Sequence, residues 1–176
     1  MVAAKRNESN TGYRAQAIAA NGLNGGKMLL RIDMDDPATP AALAACANAV
    51  SDLASHQAVA LIEPFMVRRV DSRARNDLMP DAVIRSIAIA SGLGTTSAYS
   101  WLKVPVVDDM ERVAEASTLP TLLLGGDTGD RPDEMFAKWQ KAMRLPNVRG
   151  LVVGRNLLYP PDDDVAAAVD IAASLL

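Results

Sequence analysis

Lys103 is a charged residue at the end of an apolar segment, where its amine could react with a carbonyl group. It ends the segment Ala98 to Lys103 and is followed by Val104 and Pro105, so an ammonium group is placed among apolar neighbours. Lysines are rarely buried without a task, and desolvation favours the neutral amine, which attacks carbonyl carbons to form a Schiff base. Snorkelling of the side chain to the surface is the structural alternative. We predict that Lys103 is a nucleophile.

Glu63 has a comparable position, after the apolar run Val59 to Ile62 and before Pro64. The C-terminal ends of buried parallel strands are where the functional sites of such sheets lie. We predict that Glu63 is a general acid or base. The alternative is a salt bridge between Glu63 and the basic stretch that follows it. This stretch contains Arg68, Arg69, Arg73 and Arg75, and we interpret it as a solvated loop rather than a phosphate clamp.

Lys27 is a second lysine, at the start of the segment Lys27 to Ile32. In a barrel, alternate strands contribute to the same interior layer, so Lys27 could face Lys103 with Glu63 between them. However, Arg31 lies at the far end of the segment, and four residues at ~3.3 Å each would place Lys27 about 13 Å deeper than the mouth. Arg31 is therefore a competing candidate for the assisting role.

Glycines follow the last two apolar segments. Gly125 and Gly126 come after Leu124, and Gly154 with Arg155 follows the next segment. Bare backbone N–H groups at these places bind phosphate in many barrel enzymes, and Arg155 adds a charge-assisted donor. Glycine pairs are also ordinary turn elements. We predict a phosphate site here.

Five short apolar segments have the pattern of buried parallel strands, and longer helical patterns alternate with them. The strands are predicted at Lys27 to Ile32, Val59 to Ile62, Ala98 to Lys103, Thr121 to Leu124 and Val148 to Val153. The helices are predicted at Tyr13 to Asn21, Pro40 to Ser55, Pro80 to Ser91, Asp108 to Ala116, Pro132 to Met143 and Asp163 to Leu175. Each strand with its helix forms one βα unit.

Repeated βα units without predicted hairpins indicate an α/β fold with a parallel sheet, either open or closed into a barrel. Polar residues at successive strand ends, glycines after the last two strands and the lack of a Gly-rich dinucleotide fingerprint favour the barrel. A closed (β/α)8 barrel takes ~250 residues. Five strands in 176 residues therefore predict a partial TIM barrel.

Composition narrows the classes of partner. The net charge is −3 and the basic residues are scattered, which argues against nucleic acid and against an anionic membrane. Cys46 is the single cysteine and His56 the single histidine, so neither a disulfide nor a metal centre is predicted. No apolar run reaches the ~18 residues of a membrane span. The polar N-terminus lacks a signal-peptide pattern, and we expect a cytoplasmic protein.

Residues 12–176, after a polar segment 1–11, resemble the DeoC/LacD-type class I aldolase family, and most closely its tagatose-bisphosphate aldolase-like members. The motifs are specific when they are taken together, because a lysine, a glutamate and a lysine fall on three successive strands and the glycines follow the next two strands. The passages that carry it are GGKMLLRID (Gly25 to Asp33), ALIEPFM (Ala60 to Met66), SGLGTTSAYSWLKVPV (Ser91 to Val106), TLLLGGD (Thr121 to Asp127) and GLVVGRNLLYP (Gly150 to Pro160).

The resemblance implies a metal-independent and cofactor-free carbon–carbon lyase of carbohydrate catabolism, acting on a ketose or keto-sugar phosphate. Lys103 would form the Schiff base, Glu63 would transfer protons and Lys27 would assist. The passage TLLLGGD contains no lysine, which makes deoxyribose phosphate the less favoured substrate. Two alternatives are a phosphate-binding barrel fragment without turnover and a subunit that acts only through interaction or oligomerisation.

By the same resemblance the five strands correspond to barrel strands four to eight, which leaves Lys27 to Ile32 and Val148 to Val153 as unpaired edges. We expect residues 1–176 alone to associate, as a homo-oligomer or in aggregates, and to have little aldolase activity. Sedimentation at several protein concentrations, together with an aldol-cleavage assay, tests this expectation. A fully active monomer would contradict it.

Overall fold

The computed structural model describes residues 14–71, 73–125, 132–160 and 163–175. Its strands are β1 (Gly25–Ile32), β2 (Val59–Val70), β3 (Arg73–Asn76), β4 (Ser100–Pro105), β5 (Thr121–Leu124) and β6 (Val148–Val152). Its helices are α1 (Ala15–Ala20), α2 (Thr39–Ser55), α3 (Pro80–Ser91), α4 (Met110–Glu115), α5 (Pro132–Ala142), α6 (Arg155–Leu158) and α7 (Val165–Ala173). Among these described helices, none has the length and apolar character needed to cross a membrane.

The described strands form a sheet in the order β1-β2-β4-β5-β6, and every neighbouring pair in this order is parallel. Helices connect successive parallel strands, as in repeated βα units. The predicted parallel α/β fold is therefore confirmed, with the five predicted strands adjacent to one another in chain order.

The hairpin formed by β2 and β3 contradicts the sequence prediction. We expected a strand that stops at Ile62 and a solvated basic loop, whereas β2 continues to Val70 and pairs antiparallel with β3. The β-forming run after Pro64 continues the strand, and Asp71 makes the turn in the left-handed region with φ 49°. The prediction that the strand ends at Ile62 was wrong.

The main core lies between one face of the sheet and the helices that cover it. Side chains of the strands on this face are almost fully buried: Leu30, Ile32, Ile62, Leu102, Val104 and Leu123. Helices α2 and α3 supply apolar partners that include Cys46, Val50, Val83 and Ile87. The burial of apolar side chains on this face fixes which residues of each strand point toward the helices.

The residues of opposite parity point to the other face of the sheet, which corresponds to the interior of a barrel. Leu29, Leu61 and Trp101 are half-buried there, in contrast with the almost complete burial on the helix-covered face. The two lysines and the glutamate singled out above have the same parity. The alternation of the strands therefore separates the apolar core from the charged residues.

Gly25 allows β1 to start two residues earlier than predicted, because β1 approaches β2 closely at this point. It pairs with Val59, and a Cβ atom at position 25 would lie 2.2 Å from the carbonyl oxygen of Val59. No side chain fits at this distance without displacement of the backbone. The register of the first parallel pair thus depends on a residue without a side chain.

We predict that Gly25→Ala lowers the free energy of unfolding by about 1–3 kcal/mol, because the added methyl group forces the two strands apart. Chemical denaturation followed by circular dichroism measures the change. Gly92→Ala is the matched control: its φ is −92° and the nearest atom to an added Cβ is 3.7 Å away. Equal effects of the two substitutions would contradict the prediction.

Candidate active site

Glu63 lies between two lysines. Lys27 Nζ donates a hydrogen bond to Glu63 Oε2 at 2.6 Å, and Lys103 Nζ lies 3.2 Å from Glu63 Oε1. The Lys103 side chain is 15% exposed and that of Lys27 is 44% exposed. The structure therefore brings together the three residues that the sequence predicted as catalytic, on three adjacent strands.

The register of the sheet explains how Lys27 reaches Glu63. Glu63 pairs with Leu29 on β1, and Lys27 pairs with Leu61. Lys27 therefore lies two residues below the level of Glu63, about 7 Å along the strand. An extended lysine side chain spans this distance. The predicted depth of Lys27, which made Arg31 a competing candidate, is therefore no obstacle to the contact between Lys27 and Glu63.

The two lysines make burial of the carboxylate possible. Glu63 is 8% exposed, and a buried charge is stabilised only when partners compensate for its lost hydration. Arg69 of the basic stretch instead bridges Asp33 and Asp36, at 2.9 and 3.2 Å. In the structure, Glu63 therefore pairs with the two lysines and not with Arg69 of the basic stretch.

The Lys103 side chain is only 15% exposed, so it does not snorkel to the surface.

A cavity of about 830 Å³ opens at the C-terminal ends of the strands. Glu63 lines it together with Arg31, Gly125 and Arg155, three of the residues predicted to bind substrate or phosphate. Gly154 directly precedes Arg155 and caps the short helix α6. Gly126 lies outside the described residues. Four of the five predicted binding residues thus lie at or beside one cavity whose wall includes the proposed acid–base residue.

The cavity is also lined by polar residues for which the sequence analysis predicted no binding role, and Arg75 among them was interpreted as part of a solvated loop. Arg75 and Asn76 come from the hairpin, and Lys138 comes from α5. Asn76 Oδ1 accepts a hydrogen bond from Arg31 Nε at 3.4 Å, which ties the hairpin to β1. Recognition of the β-forming run after Pro64 could have identified the hairpin. For Lys138, which lies on an exposed helical position, the sequence has no comparable signal.

The remaining candidates have ordinary positions. Cys46 is buried in the core, as expected for a packing residue. Within the described ranges, no group of three or more histidine, cysteine, aspartate or glutamate residues is arranged to hold a metal ion. Lys27, Lys103 and Glu63 bring two amines and one carboxylate together on the barrel-interior face.

Two aldolases share the fold at low sequence identity. One is a Schiff-base-forming fructose-1,6-bisphosphate aldolase, with a TM-score of 0.74 and 15% identity over 93% of this chain and 62% of that chain. The other is an archaeal fructose-1,6-bisphosphate aldolase with its catalytic lysine bound to the carbinolamine intermediate, with a TM-score of 0.73 and 15% identity over 92% and 61%. These similarities establish a TIM-barrel-like fold, of which the described strands form a part.

A much more similar structure is that of Cgl0159 from Corynebacterium glutamicum (Brevibacterium flavum), with 53% identity and a TM-score of 0.91. The match covers 94% of this chain and 55% of that chain, so the chain spans little more than half of its relative. Comparison with proteins of curated function gives no match. Membership of the DeoC/LacD-type family stays a prediction. The Cgl0159-like family model matches residues 5–173, and the chain belongs to the Cgl0159-like family.

Proposed function

We propose that this chain carries the catalytic residues of a class I aldolase, which cleaves a ketose or keto-sugar phosphate through a Schiff base on Lys103. The observation that carries the proposal is the contact of one buried carboxylate with two lysines on the barrel-interior face. The shared fold with Schiff-base-forming aldolases supports it. So does the motif pattern, which is most similar to that of tagatose-bisphosphate aldolase-like enzymes.

The first step requires a neutral amine on Lys103. Glu63 Oε1 lies 3.2 Å from Lys103 Nζ and would accept a proton from the ammonium group. The amine then adds to the carbonyl carbon of the substrate and forms a carbinolamine. Protonation of the carbinolamine hydroxyl by Glu63 releases water and leaves an iminium ion on Lys103.

In the second step the iminium ion withdraws electrons from the neighbouring carbon–carbon bond. Glu63 removes the proton of the hydroxyl group on the far carbon, the bond breaks, and an aldehyde leaves. The electron pair of the broken bond forms an enamine. Glu63 returns its proton to the enamine carbon, and water hydrolyses the resulting iminium ion to release the product ketone and the free amine. Lys27, hydrogen-bonded to Glu63 Oε2 at 2.6 Å, holds the carboxylate in position throughout.

The phosphate of the substrate would bind at the other side of the cavity from β1. Gly125 and Gly154 follow β5 and β6, and Arg155 is the first residue of α6. Backbone N–H groups and a guanidinium group are suited to phosphate oxygens. Arg31 lines the same cavity and adds positive charge for an anionic substrate. Sugar phosphates are therefore favoured over neutral sugars.

We expect incubation with dihydroxyacetone phosphate and borohydride to give a stable mass adduct on the peptide that contains Lys103, because borohydride reduces an iminium ion to a secondary amine. Peptide mass spectrometry locates the adduct. Lys103→Arg should abolish it, and Lys141→Arg, on the exposed side of α5, should not. An adduct on Lys27 would refute the assignment of Lys103 as the Schiff-base residue. Loss of aldol cleavage when metal ions are chelated would refute the assignment to the class I aldolases.

We expect Glu63→Gln to leave iminium formation possible but slower, since Glu63 takes part in it, and to slow the later proton transfers, including those of bond cleavage, by ~10²-fold or more. Uptake of solvent deuterium into dihydroxyacetone phosphate measures enamine formation without requiring cleavage of a complete sugar. Borohydride trapping of the same variant shows whether the iminium ion still forms. Unchanged deuterium uptake with a lowered free energy of unfolding would mean that Glu63 has a structural role alone.

A further inference from the structure

Asn76 is a polar residue of the cavity wall that the proposed mechanism does not use. It is the last residue of β3 and is paired with Val67 in the register of the hairpin. Val67 has the same parity on β2 as Glu63, so it faces the barrel interior, and the residue directly opposite shares that face. Asn76 lines the cavity, in agreement with this register.

The contact with Arg31 fixes the orientation of the Asn76 amide. Arg31 Nε is a donor only, so the amide atom that faces it, at a long hydrogen-bond distance of 3.4 Å, is the acceptor Oδ1. Asn76 Nδ2, which carries two donor hydrogens, therefore points away from Arg31. Among the described residues Nδ2 has no hydrogen-bond partner, and it is not a buried atom. The cavity wall thus carries an accessible amide donor whose direction is set by a neighbouring arginine.

The hairpin holds this donor at a defined place. Arg69, on the same face of β2, contacts Asp33 and Asp36 in the turn after β1 at 2.9 and 3.2 Å. At the base of the hairpin, the backbone N–H of Asp77 donates a hydrogen bond to the carbonyl oxygen of Met66 at 2.8 Å. A donor on a fixed element loses less conformational freedom on binding than a donor on a mobile loop.

Asn76 lies beyond the reacting groups, toward the mouth of the cavity. Its partner Val67 is four residues beyond Glu63 on β2, about 13 Å along the strand. In the proposed reaction Lys103 holds the carbonyl carbon, and Glu63 takes the proton of the hydroxyl group at the bond that breaks. The phosphate is assigned to the side of β5 and β6. The part of the sugar that extends toward Asn76 is therefore the far end of the portion that leaves as the aldehyde.

The identity of residue 76 indicates that its donor has a purpose of its own. An aspartate at this position would hold Arg31 more strongly, through a charge-assisted hydrogen bond, but it would have no donor. Asn76 holds Arg31 through Oδ1 and keeps two N–H groups for another partner. An amide is uncharged, so it suits an uncharged oxygen such as that of a hydroxyl group.

We propose that Asn76 binds the terminal hydroxyl group of the aldehyde portion of the substrate and is a specificity-determining residue. This role rests on the proposed function, and it specifies the substrate as a keto-sugar phosphate whose end away from the phosphate carries an uncharged hydroxyl group. A site that donates a hydrogen bond to such a group discriminates against an analogue that lacks it.

Isothermal titration of the whole chain with three ligands tests the proposal. Fructose 1-phosphate carries the terminal hydroxyl group, 6-deoxyfructose 1-phosphate lacks it, and dihydroxyacetone phosphate lacks the whole aldehyde portion. Asn76→Ala should weaken the binding of fructose 1-phosphate by about 3–10-fold, since one uncharged hydrogen bond is lost. Its affinities for the other two ligands should change little. The wild-type chain should prefer fructose 1-phosphate to the 6-deoxy derivative by a similar factor.

Arg73→Ala is the matched control, because Arg73 lies on the same strand and, opposite Val70, on the other face of the hairpin. It should leave the affinities for all three ligands unchanged. Equal weakening by Asn76→Ala and Arg73→Ala would overturn the proposal, since the effect would then come from the hairpin as a whole. Equal weakening of fructose 1-phosphate and its 6-deoxy derivative by Asn76→Ala would also overturn it. Asn76→Leu, which keeps the size of the side chain and removes the amide, gives the same comparison if the alanine variant does not fold.

The proposed function can fail separately. Borohydride trapping with dihydroxyacetone phosphate reports on Lys103, and the Asn76→Ala variant should still form that adduct, because this ligand lacks the portion that Asn76 binds. An adduct in a chain that does not distinguish fructose 1-phosphate from its 6-deoxy derivative would overturn the role of Asn76 and leave the aldolase proposal intact. A preference for the terminal hydroxyl group that depends on Asn76, without any adduct, would overturn the aldolase proposal and leave Asn76 as a binding residue.

Discussion

The arrangement of this site depends on a carboxylate that is held, almost buried, between two ammonium groups. Glu63 is stabilised at only 8% exposure because both of its oxygens contact a lysine. Three adjacent strands must be in register for this contact, and they are parallel, so their C-terminal ends meet at one edge of the sheet. The close approach of β1 and β2 at Gly25 supports the same register. The contacts of Glu63 with the two lysines and the pairing of the three strands are thus linked.

Much of the fold could be predicted because hydrophobic runs, helix starts and stops are local signals. Strand β5 and helix α3 have the predicted bounds. The hairpin was missed because the strand was predicted to end at Ile62, although the β-forming run after Pro64 is also a local signal. The short helix α6 was also not predicted, because four residues are too few for a hydrophobic period.

The lysine and glutamate cluster was predictable because alternation along a strand fixes the face of each residue. Lys27 and Lys103 share a face with Glu63 whatever the exact bounds of the strands. The position of Lys27 along the strand, relative to Glu63, was harder to predict, because it depends on the register between β1 and β2. The approach of Lys138 to the cavity depends on the rotation of a helix against the sheet, which no local pattern in this sequence specifies.

Strand β2 carries both the buried carboxylate and one half of the hairpin without interruption. A single inserted or deleted residue between Glu63 and Arg69 would turn every later side chain of the strand to the opposite face. Arg69 would then point away from Asp33 and Asp36. Changes of length are therefore tolerated at the turn around Asp71 but not within the strand. Variation in chain length is accordingly expected at the hairpin tip, while the spacing from Glu63 to Arg69 stays constant.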